Sequence, residues 1–178
     1  MKYSLLLFLV LFSKSILAQN LKLNNAVIIA QFEKEEDRYA MQAMLSELFK
    51  ANQVKVLPVM NVLKQGEDIQ HLLNDSIQAL VRQKGFDTYL VVNVRGYDRK
   101  FKVSEDTQTL AEMLETTSIY HIYRDEVTSV TFEFSFYKDG KLAERQVLRC
   151  GNVSDRDSVL KRLRKRLPKK LLPSWVAV

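Results

Sequence analysis

The stretch EVTSVTFEFSFYKDGKLAERQVLRCG, residues 126–151, decides what kind of sheet this chain builds. Val130, Phe132, Phe134 and Phe136 alternate with Thr131, Glu133 and Ser135, the period of a strand with one apolar face. KDGK follows, with Gly140 placed to take positive φ, so the stretch predicts a β-hairpin with one buried face, packed under the final helix.

Upstream of the hairpin the pattern alternates. NAVIIAQF, residues 25–32, is a short β-branched run that predicts a buried strand. Met41, Met44, Leu45, Leu48 and Phe49 recur at helical spacing, with Asp37 as the expected N-cap. VKVLPV, residues 54–59, predicts a second strand, with Pro58 pushing it toward an edge. Residues 66–85 predict one helix: Ile69, Leu72, Leu73, Ile77, Leu80 and Val81 make a stripe, Asp68 caps it and Gly85 ends it. DTYLVVNVRGYD, residues 87–98, is the third strand.

After it, residues 99–107 predict a loop, LAEMLE one or two helical turns, and SIYHIY, residues 118–123, a strand. The expected fold is therefore α/β, at the border with α+β: a single mixed sheet, β-α-β-α-β, then a hairpin and a C-terminal basic amphipathic helix.

That helix holds SVLKRLRKRLPKK, residues 158–170. Ser154 is the expected cap with Asp157 as the reciprocal acid. Leu160, Leu163 and Leu167 form the apolar stripe, with Arg162, Lys165, Arg166 and Lys169 largely opposite. Pro168 should end or kink the helix near Arg166, leaving a short tail from about 168 with Trp175 as its anchor.

The chain opens MKYSLLLFLVLFSKSILAQN, with a basic Lys2, an apolar run at residues 5–12 and a small Ala18. This order predicts a secretory signal peptide over 1–18, cut before Gln19, and a periplasmic or secreted protein. The run is far shorter than the roughly 20 residues that span a bilayer. Residues 19–178 then form one globular α/β domain. Removing residues 1–18 leaves 25 Lys and Arg against 21 acids; residues 155–170 hold eight basic and two acidic residues, so the remainder is slightly acidic. A basic excess confined to one helix argues against nucleic acid, whose footprint spreads over a face. It marks Lys161, Arg162, Lys165, Arg166, Lys169 and Lys170 as a candidate patch for an anionic partner: an acidic protein surface, anionic lipid or envelope polymer. Solvation of an outer helix face is the competing reading.

Motifs for chemistry are sparse. Cys150 is the only cysteine, expected to be buried or a free thiol. His121 could join it as a nucleophile–base dyad, which keeps a hydrolase as an alternative. His71 and Asp75 are spaced as a solvated helix pair, and Glu33, Glu35, Glu36 and Asp37 as a solvated helix start. The glycines form no phosphate-binding loop, and no cofactor or metal is expected. A lipid or small-ligand carrier is the third reading, which requires an apolar cavity between sheet and helices.

NAVIIAQF with its following helix, GFDTYLVVNVRGY and VTFEFSFYKDGKLAERQ together resemble a group of bacterial envelope domains. These are the periplasmic domain of the curli secretion channel family, the lipoprotein activators of penicillin-binding proteins and the TolB N-terminal domain. ILAQN also looks like the end of Bacteroidetes signal peptides. The resemblance implies a non-catalytic binding or accessory module of the envelope. Many of those domains carry a lipidated cysteine after the signal, and this chain has none there. Oligomeric state stays open.

Overall fold

A computed structural model describes residues 21–116 and 120–176. The expected signal peptide lies outside them, as do Ser118 and Ile119 of the expected strand at 118–123.

The described residues form one five-stranded mixed sheet in the order β2-β1-β3-β4-β5. β1 (Asn25–Ala30) pairs in parallel with β2 (Lys55–Pro58) and β3 (Thr88–Tyr97). β4 (Ser129–Lys138) is antiparallel to β3 and to β5 (Lys141–Gly151). The hairpin thus converts a parallel sheet into a mixed one, as its alternation predicts. Asp139 and Gly140 both take positive φ, 50° and 74°, the pair that a tight primed turn requires.

One face is covered by α1 (Glu35–Lys50) and α4 (Arg156–Lys170), the other by two 3-10 turns, α2 (Asp75–Gln83) and α3 (Leu110–Glu115). On the first face Ile28, Val92, Phe132, Phe134 and Phe136 meet Met41, Met44, Leu45 and Leu163. On the second, Val27, Ile29, Val91 and Tyr137 meet Leu72, Val81, Met113 and Leu114. β1 and β3 are buried on both sides because helices cover both sides, hence their continuous apolar runs.

The structure corrects several local expectations. Residues 66–85 are not one helix: a 3-10 turn (Ile69–Leu73) gives way to α2 at Asn74, whose ψ of 132° is extended. Asn74 O accepts from Gln78 N, so Asn74 caps α2 through its backbone. The Asn-Asp-Ser run at 74–76 is cap chemistry, which competes with helix propagation. Asp68 does cap the 3-10 turn, accepting from Gln70 N at 2.9 Å.

Residues 120–123 form no strand, and Ile122 N donates to the Asp37 carboxylate rather than to a sheet edge. They cross the start of α1 instead, where Ile122 is buried.

Asp37 is not an N-cap. Lys34 holds that position, and Asp37 sits one turn inside, buried.

In α4 the capping box is one residue later than expected. Asp155 accepts from Ser158 N at 2.6 Å, and Ser158 Oγ accepts from Asp155 N at 3.1 Å. Val159, Leu163 and Leu167 are its buried stripe, with Leu160 only half-buried.

Pro168 neither ends nor precedes a loose tail: α4 continues to Lys170. A helix-interior proline costs about 3 kcal/mol, and packing beyond it outweighs that. Leu171, Leu172 and Trp175 of α5 (Leu172–Trp175) are buried. The Trp175 ring lies 4.9 Å from Phe136, 5.3 Å from Phe134 and 6.1 Å from Phe49.

Finally, both faces of β4 are buried, not one. Residues 98–109 strap over Thr131, Glu133 and Ser135 and are held there by Arg145. Its Nη1 donates to Asp106 O at 2.8 Å, and its Nε lies 3.6 Å from Glu133. Phe101 fits closely over Gly96, where a Cβ would stand 2.5 Å from the ring.

Candidate functional site

The basic residues of α4 divide into two groups. Lys161, Lys165, Lys169 and Lys170 are exposed, whereas Arg162 and Arg166 are half-buried beside β5. Arg166 Nη1 donates to Arg149 O at 2.6 Å. Two arginines outside the expected patch tie α4 to α1: Arg164 pairs with Glu47 at 2.9 Å, and Arg156 with Glu36 at 2.6 Å and Asp37 at 2.5 Å. The six patch residues are therefore four solvated lysines plus two arginines that cover the sheet edge.

Strand direction enlarges the lysine group. α1 and α4 both run from the end where β1 and β3 finish to the end where they begin, as the Arg156–Asp37 and Arg164–Glu47 pairs show. Lys50, Lys169 and Lys170 thus come to the end where the parallel strands start. Exposed Lys22, Lys55 and Lys84 lie there too, and so do Lys138 and Lys141 at the hairpin turn, since Lys138 is registered with Thr88. Acids at this end are few: Asp87 is paired with Lys138 at 3.0 Å, Glu144 is half-buried, and Asp139 sits in the turn.

The opposite end is mixed: exposed Glu33, Glu35, Glu36, Glu67, Asp68, Asp125 and Glu126 are interspersed with exposed Lys34, Lys64, Arg99, Lys100 and Arg124. Sequence reasoning found only the helix. The other lysines are scattered singly along the chain and carry no sequence signal.

Candidate catalytic groups fare differently. Cys150 is fully buried, and burial pushes its thiol up to about 11, against a smaller pull downward from Arg166 and Arg162. A nucleophile needs the thiolate, which this environment disfavours. His121 stands elsewhere in character, half-buried with Nδ1 3.8 Å from Glu33. His71 and Asp75 are exposed on separate elements, because the break at Asn74 removes the helical spacing expected of them. Of the four acids read as a solvated helix start, Glu33, Glu35 and Glu36 are exposed and Asp37 is not.

Sheet and helices interdigitate, and two clefts open at the ends of the sheet. One, of about 650 Å³, lies where β1 and β2 finish, between Gln31, Arg38, Tyr39, Gln42, Met60 and Lys64. The other, of about 610 Å³, lies at the basic end, between Leu23, Val54, Pro168, Leu172, Pro173 and Val176. Among the described residues no helix is long and apolar enough to cross a membrane.

No family model matches this chain, and no curated protein does. Solved structures do show likeness. The lipoprotein GNA1162 from Neisseria meningitidis is 12% identical with a TM-score of 0.45, over 83% of this chain and 99% of that one. The PelC dodecamer from Paraburkholderia phytofirmans is 10% identical with a TM-score of 0.42, over 88% and 90%. The resemblance to curli-channel, penicillin-binding-protein activator and TolB domains remains one of element pattern, without a family match.

Proposed function

We propose that this protein is an exported, non-catalytic binding or accessory module of the bacterial cell envelope, which docks through the basic end of its sheet. The observation that carries the reading is the gathering of exposed lysines at one end of the sheet, where acids are few, against a mixed-charge opposite end. Such a field steers and orients an anionic partner. The signal-like order of residues 1–18 supports export, and the buried Cys150 thiol supports a role without covalent catalysis.

The test uses immobilised mature protein, beginning at Gln19, and envelope extract. Wild-type protein should retain material that the Lys165→Glu, Lys169→Glu, Lys170→Glu variant does not, and retention should fall as salt rises, since exposed charges are screened beyond about 8 Å at physiological ionic strength. Equal retention by both proteins sinks the docking reading. Export is checked separately: mass spectrometry of periplasmic protein should find an N-terminus at or near Gln19, and recovery of only the intact chain from cytoplasm overturns it.

A further inference from the structure

We infer that the larger cleft, at the mixed-charge end of the sheet, binds a neutral saccharide, independently of the docking reading above.

β1 lies between its two parallel neighbours, β2 and β3, and the helices that follow β1 and β2 cover opposite faces of the sheet. Open α/β sheets bind ligands outside the carboxyl ends of their strands, at the point where the strand order reverses. The cleft opens at such a place. Its walls are the loops that leave β1 and β2 and the first turns of α1, and its volume of about 650 Å³ suits a small ligand.

Two of its wall residues are buried glutamines. Gln42 is 2% exposed; its Oε1 accepts from Met60 N at 3.5 Å, and its amide nitrogen has no partner among the described residues. Gln31 is 4% exposed; its Nε2 donates to Leu114 O at 3.2 Å, and its Oε1 has no partner among the described residues. Buried polar groups are ordinarily hydrogen-bonded. The cleft walls thus hold one unmet donor and one unmet acceptor, on side chains that packing keeps in place. A hydroxyl both donates and accepts, so a single kind of ligand group answers both. A simple anion would serve only Gln42, and a metal cation only Gln31.

The charged side chains of the cleft agree. Glu35, Glu67 and Asp68 line it with Arg38 and Lys64, close to balance. The acids are engaged already: Glu35 Oε1 accepts from Gln65 Nε2 at 2.8 Å, Glu67 Oε2 from Lys64 N at 2.9 Å and Asp68 Oδ1 from Gln70 N at 2.9 Å. Arg38 donates to Phe32 O at 3.1 Å. These bonds hold the walls together and favour no ligand charge of either sign.

Tyr39, 61% exposed, and Met60, 40% exposed, add apolar surface to the same cleft. An exposed aromatic ring accepts the C–H face of a sugar, whose hydroxyls are then free to reach the amides. A peptide is disfavoured. The sheet edge beside the cleft is β2, four residues long and closed by Pro58, which has no N–H to pair with an added strand.

NMR titration of protein beginning at Gln19 tests this, with cellotriose, maltotriose and chitotriose in turn. At least one should shift the Gln42 side-chain amide together with the Tyr39 and Met60 backbone amides, saturably and below about 10 mM. Tyr39→Ala should weaken that binding at least about tenfold, and so should Gln42→Met. Leu80→Ala, which trims an exposed apolar side chain of α2 instead, should leave it within about twofold. Unchanged unfolding midpoints confirm that the variants fold; should Gln42→Met not fold, the exposed Tyr39 decides. Affinity should stay within about twofold between about 0.05 and 0.5 M salt, a range over which docking by lysines weakens steeply. A monosaccharide that binds as tightly as its trimer assigns the site to free sugar, and a weaker one assigns it to a segment of a glycan chain. The proposal is overturned if no trimer gives a saturable shift, if the shifts lie away from the cleft, or if Tyr39→Ala leaves binding unchanged. Tighter binding of trialanine also overturns it and gives the cleft to a peptide. Loss of charge-dependent retention of envelope extract, with saccharide binding intact, rejects the docking reading alone.

Discussion

Arg156 Nε and Asp37 Oδ1 lie 2.5 Å apart across 119 residues of chain. Asp37 is buried in the first turn of α1, where its second oxygen accepts from Ile122 N at 3.2 Å. One carboxylate thus fastens the first helix, the last helix and the 120–123 crossing together. With the Arg164–Glu47 pair it marks α4 as running alongside α1 in the same direction, which carries Lys169 and Lys170 to the basic end.

Arg156→Ala should leave a buried carboxylate short of its cation. We expect a loss of about 2–4 kcal/mol, below the fully buried case because Arg156 is partly exposed. A double-mutant cycle with Asp37→Asn should give a coupling of about 1–3 kcal/mol by denaturant unfolding. Coupling below about 0.3 kcal/mol would mean that the two changes act independently.

Phe134 and Trp175 share the centre of the first face. Truncation of either to Ala should cost about 3–5 kcal/mol, and the double variant should depart from additivity because the rings are 5.3 Å apart. A cost below about 1 kcal/mol at Trp175 would show that α5 does not anchor the chain beyond Pro168.

Cys150 should resist thiol reagents. With its thiol pushed up to about 11 and no exposed surface, native protein at neutral pH should react orders of magnitude more slowly than unfolded protein. Rapid labelling with an aromatic disulfide reagent, without unfolding, would restore the cysteine to the list of catalytic candidates.

Asp98 should set part of the acid limb of stability. Its carboxylate accepts from the Thr128 hydroxyl first, and also from Thr128 N and Ser129 N, which hold its pKa below the ordinary 3.8. The folded state favours the ionised form. Its stabilisation is therefore complete above the ordinary carboxylate range and is lost as pH falls through the lower folded value. Titration of the Asp98 carboxyl carbon by NMR should give a midpoint under 3.8, and Asp98→Asn should remove that part of the acid limb. A midpoint above 3.8 would show that these hydrogen bonds do not favour the ionised form.

Local patterns were legible in the sequence because their causes are local. Alternation over Val130–Phe136 is a period-two signal, and Asp139–Gly140 is a turn signal two residues long; both need only neighbours to act. Strand β3, α3 and the apolar stripe of α2 follow the same logic. The misreadings came where two local rules competed, as at Asn74, where cap chemistry interrupted a helical stripe, and at Pro168, where distant packing of Trp175 outweighed a helix-breaking residue.

By itself the sequence determined the β-α-β-α-β start, the mixed sheet, the hairpin with Phe132 and Phe134 inward, and the basic character of the last helix. Tertiary structure alone decided that Glu133 and Arg145 are buried under residues 98–109, that Asp37 is held by Arg156, and that Lys22, Lys50, Lys55 and Lys84 join Lys169 and Lys170 at one end. The reason is range. Periodicity and capping act over a few residues, while a charged surface depends on which way each strand and helix runs, and only the assembled sheet sets that.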